Sequence, residues 1–275
     1  MPGSERPALV ATDLDGTLLR DDKTVSDHTR RVLAAVQAAG IPVVPVTARQ
    51  PYGLRPIAAH VGFRGPGVCA NGAVVVDTST WEVLRAESIP GEVAGRVIRA
   101  VREACDEVVF AAVGPVGEWF RAEEGYAGSS RFSDHQRSSE DMQIVTADEL
   151  AADCSKLVLR RPGEDAAETL RRVQPLVAGC HATISGAPFV EVMAPGVTKS
   201  RGLAWLCERL GVERERVWAF GDAANDVDML RWAGRAFAVA DADPSVREVA
   251  DAVTGTNAED AVADALAHLA TPTVQ

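Results

Sequence analysis

The chain has 275 residues, 47% of them hydrophobic and 24% charged, with a formal net charge of −11. This is the composition of a globular protein, long enough for one large domain or two of moderate size. The acidic balance argues against a nucleic-acid or anionic-membrane surface, so any bound phosphate must be met by a local constellation or a cation.

Met1–Pro7 lacks the apolar core of a signal peptide, and no apolar run is long enough to span a bilayer. Ala8–Ala11 reads as a buried strand that ends on Asp13-Leu14-Asp15-Gly16-Thr17. In extended backbone, residues two apart point to the same side, and Gly16 lets the chain turn away. Two acids crowded at a strand end repel one another and need a cation or a shared proton. That arrangement suits a metal-assisted site in which one acid attacks and the other moves protons. An N-cap and turn cluster is the plainer alternative.

Ser26 can cap a helix running to about Ala39, followed by a strand over 41–47 that ends on Thr47-Ala48-Arg49. The Thr47 hydroxyl can hydrogen-bond a phosphoryl oxygen. A helix from about Tyr52 to Val61 precedes a strand near Val68–Ala70. Asn71-Gly72 then turns into Ala73–Val76, read as a hairpin with Val83–Arg85. Such alternation predicts a parallel sheet with helices on both faces.

The middle third reads as a second small domain. It holds a helix from Val93 to Cys105, a strand from Val108 to Val113 and an irregular polar stretch from Gly125 to Glu140. A strand over 156–160, a helix over 166–177 and a strand over 181–185 follow. Phe189–Met193 is expected to return to the first domain. After it come a helix over 199–210 and the strand 217–220, which ends on Gly221-Asp222-Ala223-Ala224-Asn225-Asp226. A further strand over 235–239 precedes helices near Ser245 and Glu259.

Asp13, Asp15, Asp222 and Asp226 can meet at the carboxyl ends of neighbouring parallel strands. A cluster of hard oxygen ligands without histidine or cysteine suits Mg²⁺. Equally, Asp226 can simply start a helix that Asn225 caps. Only three of the chain's 28 basic Lys and Arg residues are lysines, Lys23, Lys156 and Lys199. One of them, Lys199, falls at a helix start, where the helix dipole does not favour a cation. An ammonium there can hold phosphoryl oxygens and balance the aspartates. The five cysteines are scattered and form no C-x-x-C pair, which fits a reducing cytoplasm.

Taken in order, the first aspartate motif, Thr47-Ala48-Arg49, Lys199 and Gly221-Asp222-x-x-Asn225-Asp226 resemble the four motifs of haloacid dehalogenase-like (HAD) phosphatases. Asn71-Gly72-Ala73 and Gly196–Lys199 look like the Cof-type subgroup with its type-2 (IIB) cap. The resemblance implies a doubly wound, mostly parallel Rossmann-like α/β core, residues 1–85 and 188–275, with an inserted α+β cap over 86–187. It implies that Asp13 is the nucleophile and Asp15 the acid and base. Thr47, Lys199 and Asn225 would bind the phosphoryl group, with Arg49 and Asn71 near the substrate or cap. Asp13, the Asp15 carbonyl and Asp222 would hold Mg²⁺, with Asp226 acting through water. Ala223-Ala224 departs from the subgroup, which often carries polar residues there.

The expected activity is hydrolysis of small phosphorylated metabolites, sugar phosphates foremost, by a monomer or homodimer. A phosphomutase using the same intermediate and a non-catalytic phosphometabolite sensor remain alternatives. Trp119, Arg121, Arg131, His135, Arg137 and His181 are the cap residues with recognition chemistry.

Overall fold

The computed structural model describes residues 6–135 and 137–270; most of the N-terminal stretch considered for a signal peptide lies outside them. Two compact units emerge, one from the residues through Ala48 with Leu54–Leu84 and those from Thr198 on, the other from Arg49–Gly53 and Arg85–Val197.

The first unit is built on a five-stranded parallel sheet. Its order is Ala252–Val253, Arg235–Ala238, Val217–Gly221, Leu9–Thr12, Val43–Pro45. Leu9, Ala11, Val44, Val46, Val217, Ala219, Ala236 and Ala238 alternate along their strands and share one apolar cluster with Leu203, Leu206, Met229 and Leu230. The period of two puts all these positions on one face, so a one-residue slip would expose the whole set. The other face carries Trp218, Phe220 and Phe237, with the Phe220 and Phe237 rings stacked at 4.6 Å. Burying each such side chain contributes about 1.5–3 kcal/mol.

Chain order decides where a ligand can enter. From Leu9–Thr12 the chain first winds to Val43–Pro45 on one side and later returns to Val217–Gly221 on the other. The crevice at such a reversal lies beyond the carboxyl ends of those strands. Helix Asp27–Ala38 begins where expected, its Ser26 side chain accepting from the Thr29 N–H at 3.0 Å. Helix Lys199–Leu210 is capped by Thr198, whose hydroxyl accepts from the Arg201 N–H at 3.2 Å. Pro66–Cys69, Val74–Asp77 and Val83–Ala86 form a separate three-stranded sheet, with Ala70–Gly72 as a tight turn between the first two.

The second unit contains a six-stranded sheet ordered His181–Thr183, Val190–Met193, Lys156–Arg160, Val109–Val113, Phe120–Ala122, Gln143–Ile144. All its pairings are antiparallel except that of the last two strands. Strand Val190–Met193, expected to return to the first unit, instead pairs with Lys156–Arg160 and His181–Thr183. The second unit therefore runs to Val197 rather than ending at residue 187, and it also takes Arg49–Gly53. The stretch read as irregular contains helices Glu124–Ser129 and Phe132–His135. Tyr126 and Ala127 of the first of them are buried against the sheet's apolar cluster, which supplies the stability that so short a helix lacks alone.

Candidate active site

Asp13 is placed by the sheet itself. Its N–H donates to the Phe220 carbonyl at 3.0 Å, extending the ladder one residue past the strand end. The neighbouring strand delivers Asp222 just beyond Gly221. Carboxylate oxygens of Asp13, Asp222 and Asp226 all lie within 4.8 Å of one another. Gly16 makes this approach possible. Its φ of +89° suits glycine, and a Cβ there would overlap the Asp222 carboxylate. The Thr17 hydroxyl donates to Asp222 Oδ1 at 2.5 Å.

Lys199 stands at the centre. Its ammonium donates to Asp13 Oδ1 and to Asp226 Oδ1, each at 2.6 Å. Its side chain is 1% exposed, against 8% for Asp13 and 0% for Asp226. The other oxygen of Asp226 accepts from the N–H groups of Asp222 and Ala223, each at 3.0 Å. Both oxygens of Asp226 are thus engaged, and this carboxylate fixes the loop and the lysine together. The Asp15 side chain turns elsewhere and pairs with Lys23 at 3.0 Å.

The electrostatics follow from burial. Burial pushes the Asp13 carboxyl well above the usual range; Lys199 pulls it down, and Asp226, Asp222 and Asp15 push it further up. Asp222 rises to about 6, first through burial and then through the Asp226 charge, against the opposing Thr17 hydrogen bond and Lys199. Burial alone would lower the Lys199 value. Asp13 and Asp226, by charge and by hydrogen bond, outweigh that and hold it above the ordinary lysine value. Three carboxylates thus face one ammonium, and the excess negative charge is what a divalent cation neutralises. The donors are hard oxygens, Gly16 leaves room for the Asp222 carboxylate and Thr17 holds it by a hydrogen bond, so the residues fit such an ion.

Thr47 follows the carboxyl end of Val43–Pro45. Its N–H donates to Val68 O at 2.8 Å, and its carbonyl accepts from the Asn71 N–H at 3.0 Å. Asn225 Nδ2 donates to Asn71 Oδ1 at 2.9 Å.

The haloacid dehalogenase-like hydrolase family matches residues 10–266. The chain belongs to this HAD family. Among curated relatives, it is 29% identical to the 5-amino-6-(5-phospho-D-ribitylamino)uracil phosphatase YcsE of Bacillus subtilis, covering 94% of each chain. It is 28% identical to the pyridoxal phosphate phosphatase YbhA of Escherichia coli, covering 93% of this chain and 96% of that one. Among solved structures, the HAD phosphatase BT1666 of Bacteroides thetaiotaomicron superposes with a TM-score of 0.81 at 27% identity. That match covers 98% of this chain and 97% of the other.

Within this HAD site the structure brings together Asp13, Lys199, Asp222 and Asp226, and sets Asp15 and Thr47 at the same end of the sheet. Asn71 and Asn225 pair with one another. Arg49 belongs to the second unit. So do the candidate recognition residues, three of which have packing roles there. His135 is bonded to the Tyr126 hydroxyl at 2.7 Å and stacked on Phe189 at 4.6 Å. Arg121 lies over the Trp119 ring at 4.5 Å. Sequence reasoning missed Thr17 as the partner of Asp222 and Lys23 as the partner of Asp15. The scarcity of lysine was the available signal for Lys23.

Proposed function

We propose that this HAD hydrolase is a Mg²⁺-dependent phosphomonoesterase. Its substrates are small phosphorylated metabolites, sugar phosphates among them, and its intermediate is an aspartyl-phosphate on Asp13. The observation that carries the reading is the buried ammonium of Lys199, shared at 2.6 Å between Asp13 and Asp226 beside the Asp222 carboxylate. Phosphoryl transfer requires positioning and neutralisation of spreading negative charge more than covalent chemistry. The names of the relatives, each a phosphatase for a small phosphorylated molecule, support the substrate class.

In this reading an Asp13 oxygen attacks phosphorus, and the bond from phosphorus to the leaving alcohol oxygen breaks. Asp15 gives that oxygen a proton. A water molecule then attacks phosphorus and loses a proton to Asp15. The bond to Asp13 breaks, releasing phosphate and restoring both carboxyl groups. Asp15 is half-exposed, so it can leave Lys23 for the leaving group. Lys199, the Thr47 hydroxyl and Asn225 hold phosphoryl oxygens. The carboxylates of Asp13 and Asp222 and the Asp15 carbonyl would hold Mg²⁺, with Asp226 acting through water. The ion, when bound, neutralises charge on the phosphoryl oxygens.

No helix among the described residues is long and apolar enough to cross a membrane. The five free cysteines suit a cytoplasmic setting.

The test is phosphate release from a panel of phosphomonoesters, with Mg²⁺ and with EDTA, for the native protein and Asp13→Asn. Metal-dependent release that the substitution abolishes is expected. No release from any ester by folded protein would overturn the reading, and phosphate retained on a rearranged product would indicate a mutase.

A further inference from the structure

The turn Ala70–Gly72 touches three parts of the phosphoryl site at once. Asn71 is 1% exposed and left-handed, with φ 54° and ψ 30°. Its backbone N–H donates to the Thr47 carbonyl at 3.0 Å, and its side-chain Oδ1 accepts from Asn225 Nδ2 at 2.9 Å. Gly72, with φ +99°, lies so close to the start of the Lys199 helix that a Cβ would overlap the Thr198 carbonyl. A Cβ on Gly202 would likewise come within 2.7 Å of Gly72 Cα.

Backbone conformation alone does not call for asparagine here. Ala70, immediately before it, takes φ 51° without any amide. An exposed turn residue would also have no reason to bury its side chain. The second observation concerns Asn225, whose Oδ1 is buried and has no hydrogen-bond partner among the described residues. A buried polar atom left unpaired costs about 1–3 kcal/mol, unless a ligand or a water meets it. Turning both amides over preserves the bond between the asparagines and presents the Asn225 NH₂ on the unpaired side, a donor suited to a phosphoryl oxygen.

We propose that Asn71 is a positioning residue of the phosphoryl site. It orients the Asn225 amide through its side chain and Thr47 through its backbone, without touching substrate. The inference rests on the phosphomonoesterase reading. It assigns to a turn outside the phosphate-holding groups the task of setting the relative orientation of two of them.

The test is a double-mutant cycle with Asn71→Gly, Asn225→Ala and the pair together. Glycine keeps the left-handed backbone and the N–H to Thr47, so it removes only the amide. The measurements are kcat and KM on the best ester of the panel, and the dissociation constant of inorganic phosphate by calorimetry. Asn71→Gly is expected to lower kcat/KM about tenfold, the loss that follows from one misoriented hydrogen-bonding group. KM and the phosphate dissociation constant should both rise, which a smaller folded fraction would not cause. The double variant should match Asn225→Ala alone.

Losses that multiply across the two sites, or an Asn71→Gly protein with native KM and native phosphate affinity, would overturn the inference while leaving the phosphatase reading intact. A native protein that hydrolyses no ester would overturn both. Should Asn71→Gly fail to fold, the amide's task is structural rather than orienting, and the inference falls.

Discussion

Replacing Lys199 by methionine removes a cation from a buried carboxylate cluster while keeping an unbranched side chain only one atom shorter. The ammonium makes two hydrogen bonds of 2.6 Å to side chains that are 8% and 0% exposed. Deleting one partner of a buried ion pair costs about 3–5 kcal/mol, because the remaining charge is left uncompensated. Asp13 can escape part of that cost by taking up a proton, which the burial that raises its carboxyl already favours. The penalty should therefore be greatest near pH 8 and shrink toward about pH 5. With a urea dependence of about 3 kcal/mol per molar for a protein of this size, the midpoint of the unit holding the site should fall by about 1 M. The assay is urea unfolding in EDTA, followed by tryptophan fluorescence, to which that unit contributes Trp81, Trp205, Trp218 and Trp232. A shift below about 0.3 M near pH 8, or one of the same size near pH 5, would refute the claim that Lys199 compensates buried charge.

Further outcomes follow from individual groups. Asp222→Asn should abolish Mg²⁺ binding by calorimetry yet stabilise the metal-free protein near neutral pH. The folded-state value of Asp222, about 6, lies above its ordinary 3.8, so this carboxyl supports folding below that window and costs stability as pH rises through it. The gain from its removal is at most about 3 kcal/mol, read as a higher unfolding midpoint. His135 has the opposite sign. Burial first, then the charges of Lys156, Arg160 and Arg137, lower it from 6.5 to about 3, so the second unit should lose stability as pH falls across that range. His135→Phe, judged by acid titration of the far-ultraviolet signal, should flatten that loss. Gly16→Ala places a Cβ on the Asp222 carboxylate at φ +89°, and should lower the thermal midpoint and remove metal binding together. Lys23→Met should change unfolding by less than about 1 kcal/mol, because its pair with Asp15 is exposed.

What the chain revealed before folding depended on how local each signal was. Asp13–Thr17 and Gly221–Asp226 each lie within a few residues and end a recognisable apolar run, so both strand-end motifs were legible. Lys199 stood out through the rarity of lysine. The contacts that complete the site are not local. Asn71 and Asn225 are 154 residues apart, and Thr17 and Asp222 are 205 apart. Nothing in either segment announces the other. Val190–Met193 is a mostly apolar segment, broken by Glu191, that either sheet could have taken, and its register against Lys156–Arg160 decides the matter. Helices Glu124–Ser129 and Phe132–His135 are too short and polar to show a period, and the first owes its form to the packing of Tyr126 and Ala127 rather than to propensity.

The central claim is that Asp13 carries the phosphoryl group. Acid quenching during turnover of the best ester, followed by mass spectrometry of the peptide bearing Asp13, tests it most directly. The account predicts one added phosphoryl group on Asp13 in the native protein and none in Asp13→Asn. Turnover at an undiminished rate in Asp13→Asn, or a phosphoryl group found on another residue, would contradict it.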